Sequence, residues 1–228
     1  MANAFSAQRV FERLKKAWEI IQKDTVNYGL MVFVGSLVQA ITCGILAGPV
    51  SLGMYRGARK LQNEGKVAIN DAFSGMSKFG TTFVLILLIG ALLGIAFGII
   101  TGVTTLLAVI AINLGQAIAI IGAIVGFLTA ILTFALWIAY GVLALASGIV
   151  LSLGIIMVDA EDLSAVGAIR KAFSWIKANR PAALEFLLGI LLCSLLAAIP
   201  IVGAIAVIGF SMLFALQVYD SEKEIGNL

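Results

Sequence analysis

The amino-acid sequence predicts an all-α protein, a polytopic bundle of membrane helices with interfacial amphipathic helices, and three observations lead to this fold class. Residues 79–158 contain no Asp, Glu, Lys or Arg. The chain is 61% hydrophobic and 12% charged, and its mean hydropathy is +1.11. All 15 basic residues lie outside the long apolar runs. Because a soluble domain needs charge on its water-facing surface, we expect about six to eight apolar helical segments within a bilayer.

Residues 1–26 are predicted to form an interfacial amphipathic helix. Its apolar side chains recur at steps of three and four residues: Phe11, Leu14, Trp18 and Ile21. A basic helix with aromatic residues on its apolar side is typical of the headgroup region. The predicted membrane-interface residues are therefore Phe11 and Trp18 on the apolar side, and Lys16 and Lys23 on the basic side.

The predicted integral membrane domain spans residues 27–219 and is followed by a short acidic tail, 220–228. Charged loops at 55–78 and 159–180 divide it. The apolar stretch 28–54 is either one tilted span or two short helices broken near residues 42–44. The second alternative is favoured, since it leaves all three basic clusters on the cytoplasmic face. The first apolar run starts only at residue 28, so we expect no cleavable signal peptide.

The charge-free run 79–158 is long enough for about four passes of a ~30 Å hydrocarbon layer. Polar residues at 101–105 and 113–116 are the predicted turns between these passes. The last apolar stretch, 182–218, is too long for one untilted span, and Pro200 lies near its middle. We therefore predict a helical hairpin with its turn at Pro200.

A second interfacial segment is predicted in the loop 159–180. The motif I-x-x-A-F-S begins at residue 69 and recurs at residue 169, each time in a basic segment that precedes an apolar run. This context is typical of helices that lie at a membrane surface. The predicted membrane-interface residues of the second copy are Arg170, Lys171, Phe173 and Trp175.

The strongest local pattern is a series of glycines four residues apart: Gly90, Gly94, Gly98 and Gly102. Such glycines share one helix face and let a neighbouring backbone approach closely, which is how helices associate within lipid. Gly44 and Gly48 belong to a second stripe of small residues. These glycines are predicted to serve helix packing inside one bundle or self-association into a homo-oligomer.

Glu185 is the only charged residue inside an apolar run of the sequence. It follows Pro181 by four residues, which predicts a position in the first turn of its helix, where the helix dipole favours an anion. We expect no second ionisable group to be available to pair with it. Asn113 and Gln116 are interpreted as interhelical hydrogen-bond partners or as a turn, and all three residues are candidates for an intramembrane polar site.

The sequence contains no histidine and only two cysteines, which are far apart. The acidic residues near the start of the second loop, Asp159, Glu161 and Asp162, lack the glycine and the alternating oxygen ligands of a calcium loop. We therefore predict no catalytic residue, no cofactor and no metal site. The basic clusters adjoin membrane segments, so anionic lipid headgroups are the predicted partner and nucleic acid is not.

Two sets of residues carry a resemblance to a known family: Gly48-Pro49-x-x-x-Gly53 with Asp71-x-Phe73-x-Gly75, and Asp159…Ser164-x-x-x-Ala168…Asn179 with Tyr219-Asp220. They resemble a widespread prokaryotic family of small multi-pass membrane proteins, mostly of unknown function. Its relatives include the membrane domain attached to some glycerophosphodiester phosphodiesterases. The chain departs from the family at Gly167 and Ala172, and its central region is about two helices longer. The resemblance implies a helical bundle with cytoplasmic interfacial helices, and no catalytic residues.

These patterns predict a non-enzymatic integral membrane protein that self-associates through its glycine-stripe helices and scaffolds or shapes the bilayer. A transporter or channel for small solutes or ions, and an accessory subunit of a larger membrane complex, are the alternatives. The expected location is the inner (cytoplasmic) cell membrane, with multiple passes and both termini in the cytoplasm.

Overall fold

The computed structural model describes residues 5–199 and 202–228, and within these ranges it is helical without a β-strand. The helices are α1 (Ala7–Ile21), α2 (Thr25–Ile41), α3 (Ala47–Glu64), α4 (Phe79–Ala117), α5 (Ala119–Ala160), α6 (Ala165–Ala178), α7 (Arg180–Ser194) and α8 (Val202–Glu224). Short 3₁₀ segments, Ile69–Lys78 and Leu195–Ala198, lie before α4 and after α7. The predicted all-α fold class is confirmed.

Four helical stretches in the described ranges are long and apolar enough to cross a membrane: Ile69–Ala117, Ala119–Ala160, Arg180–Ala198 and Gly203–Glu224. Their length and composition indicate a membrane protein. The predicted turn residue Pro200 lies outside the described residues.

The apolar stretch 28–54 forms two helices, so the alternative of one tilted span is wrong. Cys43 and Gly44 both have positive φ angles, 49° and 82°, which turn the chain between α2 and α3. In the hairpin, Gln39 of α2 donates a hydrogen bond of 3.3 Å to Ser51 of α3. Because α2 has 17 residues, it is only about 25 Å long, which is less than the hydrocarbon thickness of ~30 Å.

Glycines allow α3 to approach the 3₁₀ segment and the start of α4. A Cβ atom at Gly53 would collide with the carbonyl group of Ala72, and one at Gly48 would lie 2.6 Å from the carbonyl carbon of Thr82. Gly48 therefore packs within the chain, as one of the two interpretations of the glycines expects. Gly44 lies in the turn, and a Cβ there would meet no atom within 4 Å.

The charge-free run forms two long helices, and the prediction of about four passes is wrong. α4 has 39 residues and α5 has 42. Residues 101–105, a predicted turn, are helical, and the hydroxyls of Thr101 and Thr104 are satisfied by carbonyl groups of their own helix. The predicted turn at 113–116 lies close to the actual break at Ile118.

The chain divides into two compact units. Unit 1 comprises Met1–Ile86 and Ile149–Leu228, and unit 2 comprises Leu87–Gly148. In unit 2, the ring of Phe97 on α4 contacts Trp137 and Tyr140 of α5, with centroid distances of 5.8 and 5.9 Å. Unit 2 contains no charged residue, so every ionic interaction of the chain lies in unit 1.

Candidate functional site

A buried carboxylate, Glu185, lies at the centre of the candidate site, and α1 and α7 bring its partners together. Ser6 caps α1, where its hydroxyl accepts a hydrogen bond from the Arg9 amide at 3.5 Å. Arg9 and Arg13 are four residues apart and therefore share one face of α1. α7 begins at Arg180, so Glu185 lies in its second turn. The prediction of a first-turn position is wrong by one helical turn.

Glu185 is 1% exposed and is bound by two arginines. Its Oε1 atom accepts hydrogen bonds from Nη2 of Arg9 at 2.5 Å and from the amide of Ser6 at 2.9 Å. Its Oε2 atom accepts a hydrogen bond from Nη1 of Arg13 at 3.1 Å. The expectation that no ionisable group pairs with Glu185 is therefore wrong. The arginine charges, more than the helix dipole, compensate this carboxylate.

Arg13 extends the same cluster to the end of α8. Its Nη2 atom donates to the hydroxyl of Ser221 at 2.9 Å and lies 3.8 Å from Oε1 of Glu222. Glu222 is itself buried and also accepts a hydrogen bond from Asn227 at 3.0 Å. We call Ser6, Arg9, Arg13, Glu185, Ser221 and Glu222 the Glu185 cluster; these residues fasten α1 to α7 and α8.

Two cations and two carboxylates make the Glu185 cluster electrically neutral. Burial lowers the pKa of the Arg13 guanidinium, although the nearby carboxylates act in the opposite direction. The hydrogen bond to Glu185 raises the pKa of Arg9. Both arginines are cations near neutral pH. A cavity of about 170 Å³ lies beside the cluster. Because both carboxylates are paired, the arrangement favours a structural role over proton transfer.

Five further ion pairs lie in the charged segments of unit 1, and three of them connect different segments. They are Arg59–Asp220 at 2.9 Å, Arg56–Asp159 at 2.5 Å, Lys171–Glu161 at 2.6 Å, Lys60–Asp71 at 3.2 Å, and Lys78–Asp162. We call these pairs, together with the Glu185 cluster, the charged layer. It brings together α1, the loop 55–78, the loop 159–180 and the end of α8, which are widely separated in sequence.

The three acidic residues around the end of α5 each bind a different cation. Asp159 binds Arg56, Glu161 binds Lys171, and Asp162 binds Lys78. Within 5–199 and 202–228, no group of three potential ligands is arranged to hold a metal ion. Asp159 and Asp162 therefore connect the end of α5 with the segment 55–78, and Glu161 connects it with α6.

Glu161 has bonding partners on two different helices. Besides the Lys171 ammonium, the hydroxyl of Tyr219 donates a hydrogen bond to it at 3.0 Å. Partial burial acts to raise the pKa of this carboxyl, but the hydrogen bonds from Lys171 and Tyr219 and the nearby positive charges lower it below its ordinary value. Glu161 thus links α6 and α8 most strongly in its ionised form.

Contacts along α1 and just after it show that it packs against α8 and close to the end of α3. In the middle of α1, Arg13 donates to the hydroxyl of Ser221 of α8. Just after its end, Lys23 donates to the carbonyl of Gln62 at 3.0 Å, and Gln62 in turn donates to Asp220 at 3.3 Å. The interface residues predicted on α1, Phe11, Lys16 and Trp18, are exposed.

The interface residues predicted on α6 fall into two groups. Arg170 and Phe173 are exposed, and the ammonium of Lys177 lies 4.5 Å from the Phe173 ring centroid. Trp175 is only 2% exposed, so it lies in the core of unit 1 and cannot reach lipid headgroups. Lys171 is bound by Glu161 and belongs to the charged layer.

The glycines of the central stripe face open space. A Cβ atom added at Gly90, Gly94, Gly98 or Gly102 would have no described neighbour within 4 Å. These glycines therefore do not make the close helix contacts inside the chain that one interpretation requires.

The two amides of the candidate polar site lie near the end of α4, in unit 2. Asn113 is exposed and donates to the carbonyl of Val109 at 2.7 Å, and Gln116 is exposed. Glu185 belongs to unit 1.

Sequence reasoning missed the arginines that bind Glu185. The signal was present in two parts, an arginine pair at i and i+4 on an amphipathic helix and a single acidic residue inside an apolar run. Nothing in the sequence indicates which of the five N-terminal basic residues meets Glu185, because more than 170 residues separate the partners.

Compared with known protein families, with curated proteins and with solved structures, the chain matches none. The resemblance to the prokaryotic family of small multi-pass proteins therefore stays a prediction.

Replacing Glu185 by Gln should destabilise the protein and release α1. Removing one partner of a buried ion pair costs about 3–5 kcal/mol. We expect a loss near the lower end of this range, because Arg9 is more than one-third exposed and solvent screens its charge. The free energy of unfolding in mild detergent and the rate of trypsin cleavage within α1 measure the effect. The matched control is Glu19→Gln, which removes only a surface pair with Lys15. Equal stability and equal cleavage of the two variants would contradict the proposed role of Glu185.

The Glu161 interactions should weaken in acid. Since the folded-state pKa of Glu161 lies below its ordinary value, its stabilising effect is fully present above about pH 4.5 and is lost as the pH falls through the folded-state pKa. Glu161→Gln should therefore lower the Tm at about pH 6 and reduce the drop in Tm between about pH 6 and pH 3. Glu64→Gln, at the exposed end of α3, should keep the wild-type pH profile. A full wild-type drop in the Glu161 variant would exclude this residue as a source of acid sensitivity.

Proposed function

We propose that this chain is a non-enzymatic membrane protein that self-associates through the α4–α5 hairpin and thereby organises the surrounding bilayer. The observation that carries the proposal is the hairpin itself, whose residues 79–158 carry no charge and whose glycine face has no neighbour among the described residues. Helices in lipid associate through such faces, because lipid offers no hydrophobic contrast and close backbone approach provides the attraction.

The lengths of α4 and α5 support a role in bilayer organisation. Their 39 and 42 residues correspond to about 58 and 63 Å of helix, about twice the ~30 Å thickness of the hydrocarbon layer. Apolar helices that are too long tilt, thicken the bilayer locally or associate with other helices. Self-association would cover part of the apolar surface that one copy exposes.

The charge distribution supports an orientation with the charged layer towards the cytoplasm. All 15 basic residues belong to unit 1, and four of the segments that carry them meet in the charged layer. Basic segments remain on the cytoplasmic side of the inner membrane, which is the location that we propose. The exposed residues Phe11, Lys16, Arg170 and Phe173 would then face anionic headgroups.

Two alternatives remain as competing proposals. A transport function would need accessible polar groups along a path, but Glu185, its strongest candidate, is closed off by Arg9 and Arg13. An accessory subunit would use the same glycine face to bind a different membrane protein. The experiment below separates this possibility by the mass of the complex.

Leucine at both Gly94 and Gly98 should abolish self-association. The side chains would fill the face where a second backbone approaches, while a Cβ at either position meets no neighbour in the chain. Gly141→Leu is the matched control, since Gly141 also lies in unit 2 and has open space around it. The mass in mild detergent, measured by light scattering, should be a multiple of the chain mass for the wild type and the control, and that of one chain for the double variant.

A wild-type monomer at all concentrations would contradict self-association. A complex that contains a different membrane protein and a single copy of this chain would favour the accessory-subunit alternative. A double variant that assembles like the wild type would exclude this glycine face as the contact.

A further inference from the structure

An apolar groove lies between α1, α2 and α8, separate from the Glu185 cluster. Its volume is about 500 Å³, within the usual range of about 300–1,000 Å³ for ligand sites. The side chain of Trp18 reaches from α1 towards the apolar part of α8, where its ring stacks on Phe210 at a centroid distance of 5.7 Å. Each helix contributes two of the main lining residues: Trp18 and Ile21, Gly29 and Phe33, Ala206 and Phe210.

The two hydroxyl groups that line this groove already donate hydrogen bonds within the protein. Thr25 donates to the carbonyl of Ile21 at 3.0 Å, and Tyr28 donates to the carbonyl of Gly209 at 2.8 Å. A polar ligand would lose its hydration here and gain few partners, which is costly. A hydrocarbon chain has no such cost, so the chemistry of the walls selects an apolar chain.

An exposed cation, Lys15, lies on α1 about one helical turn before Trp18. Lys15 precedes Trp18 by three residues and so shares its side of α1. Its side chain is 79% exposed, and its ion pair with Glu19, at 3.9 Å, lies on the surface and is weak. The ammonium of Lys15 can therefore approach a negatively charged group next to the apolar chain.

We infer that the groove binds one acyl chain of an anionic membrane phospholipid, whose phosphate lies near Lys15. Because α1 contacts α8 both at Ser221, in its charged part, and at Phe210, in its apolar part, Trp18 and Lys15 would lie where the headgroup and the chain of such a lipid meet. Gly29 keeps the groove open, because a side chain at this position would extend into unoccupied space. This site does not depend on self-association, since all of its residues belong to unit 1.

Native mass spectrometry of the purified full-length protein tests the inference. The protein is stripped of lipid with detergent and then mixed with phosphatidylglycerol. The wild type should retain one phosphatidylglycerol per chain, and Gly29→Leu should reduce this occupancy at least tenfold. Gly80→Leu, which adds the same side chain at another open position, should retain the lipid. Equal occupancy in the two variants, or no retained lipid in the wild type, would overturn the inference.

A second measurement does not depend on the folding of a groove variant. Phosphatidylglycerol with brominated acyl chains should quench the fluorescence of Trp18, and the quenching should saturate at one lipid per chain. The signal of Trp18 is obtained as the difference between the wild type and Trp18→Phe. Quenching that rises without saturation, or that is equal in both proteins, would mean general lipid contact only and would overturn the site.

The preference for an anionic headgroup is tested by comparing two lipids that have the same acyl chains. Phosphatidylcholine with the same brominated chains should bind at least threefold more weakly than phosphatidylglycerol, and Lys15→Gln should remove this difference. Equal binding of the two lipids to the wild type would overturn the assignment of Lys15 to the phosphate.

Discussion

A carboxylate that is buried among apolar helices requires a compensating charge, and the organisation of unit 1 depends on how Glu185 meets this requirement. An unpaired ion in this position would cost several kcal/mol. Arg9 and Arg13 supply the charge, together with the amide of Ser6. Because both arginines belong to α1, their contacts with Glu185 and with the end of α8 hold this helix against α7 and α8. Trp18 consequently reaches the apolar groove, and Lys15 lies about one helical turn before Trp18.

The two units differ in charge, and this difference suggests a different role for each of them. Unit 1 carries every charged residue, and ion pairs such as Arg56–Asp159 and Arg59–Asp220 connect segments that are distant in sequence. Unit 2 carries none, so its helices have only apolar side chains, glycines and a few hydroxyls and amides with which to make contacts. This contrast is the physical basis for the proposed function, in which unit 1 engages headgroups and single lipids while unit 2 engages other helices.

The sequence was sufficient for those features that depend on composition and local geometry. The charge-free run predicted the membrane fold, and the small residues near 42–44 predicted the turn at Cys43 and Gly44. The sequence was insufficient where a polar side chain forms a hydrogen bond with its own helix. The hydroxyl of Thr101 does so, and this residue therefore does not mark a turn. It was also insufficient for the partners of Glu185, because that pairing depends on tertiary structure. The burial of Trp175 had a signal, since Ala168, Ala172 and Trp175 share one face of α6.

The most direct test of this account is a double-mutant cycle between Arg13 and Glu185. The free energy of unfolding in mild detergent is measured for the wild type, Arg13→Gln, Glu185→Gln and the double variant. The same cycle for Lys15 and Glu19, an exposed pair, is the reference. The account predicts a coupling energy of at least about 1 kcal/mol for Arg13 and Glu185, and almost none for the reference pair. Effects that add to within about 0.3–0.5 kcal/mol at Arg13 and Glu185 would contradict it.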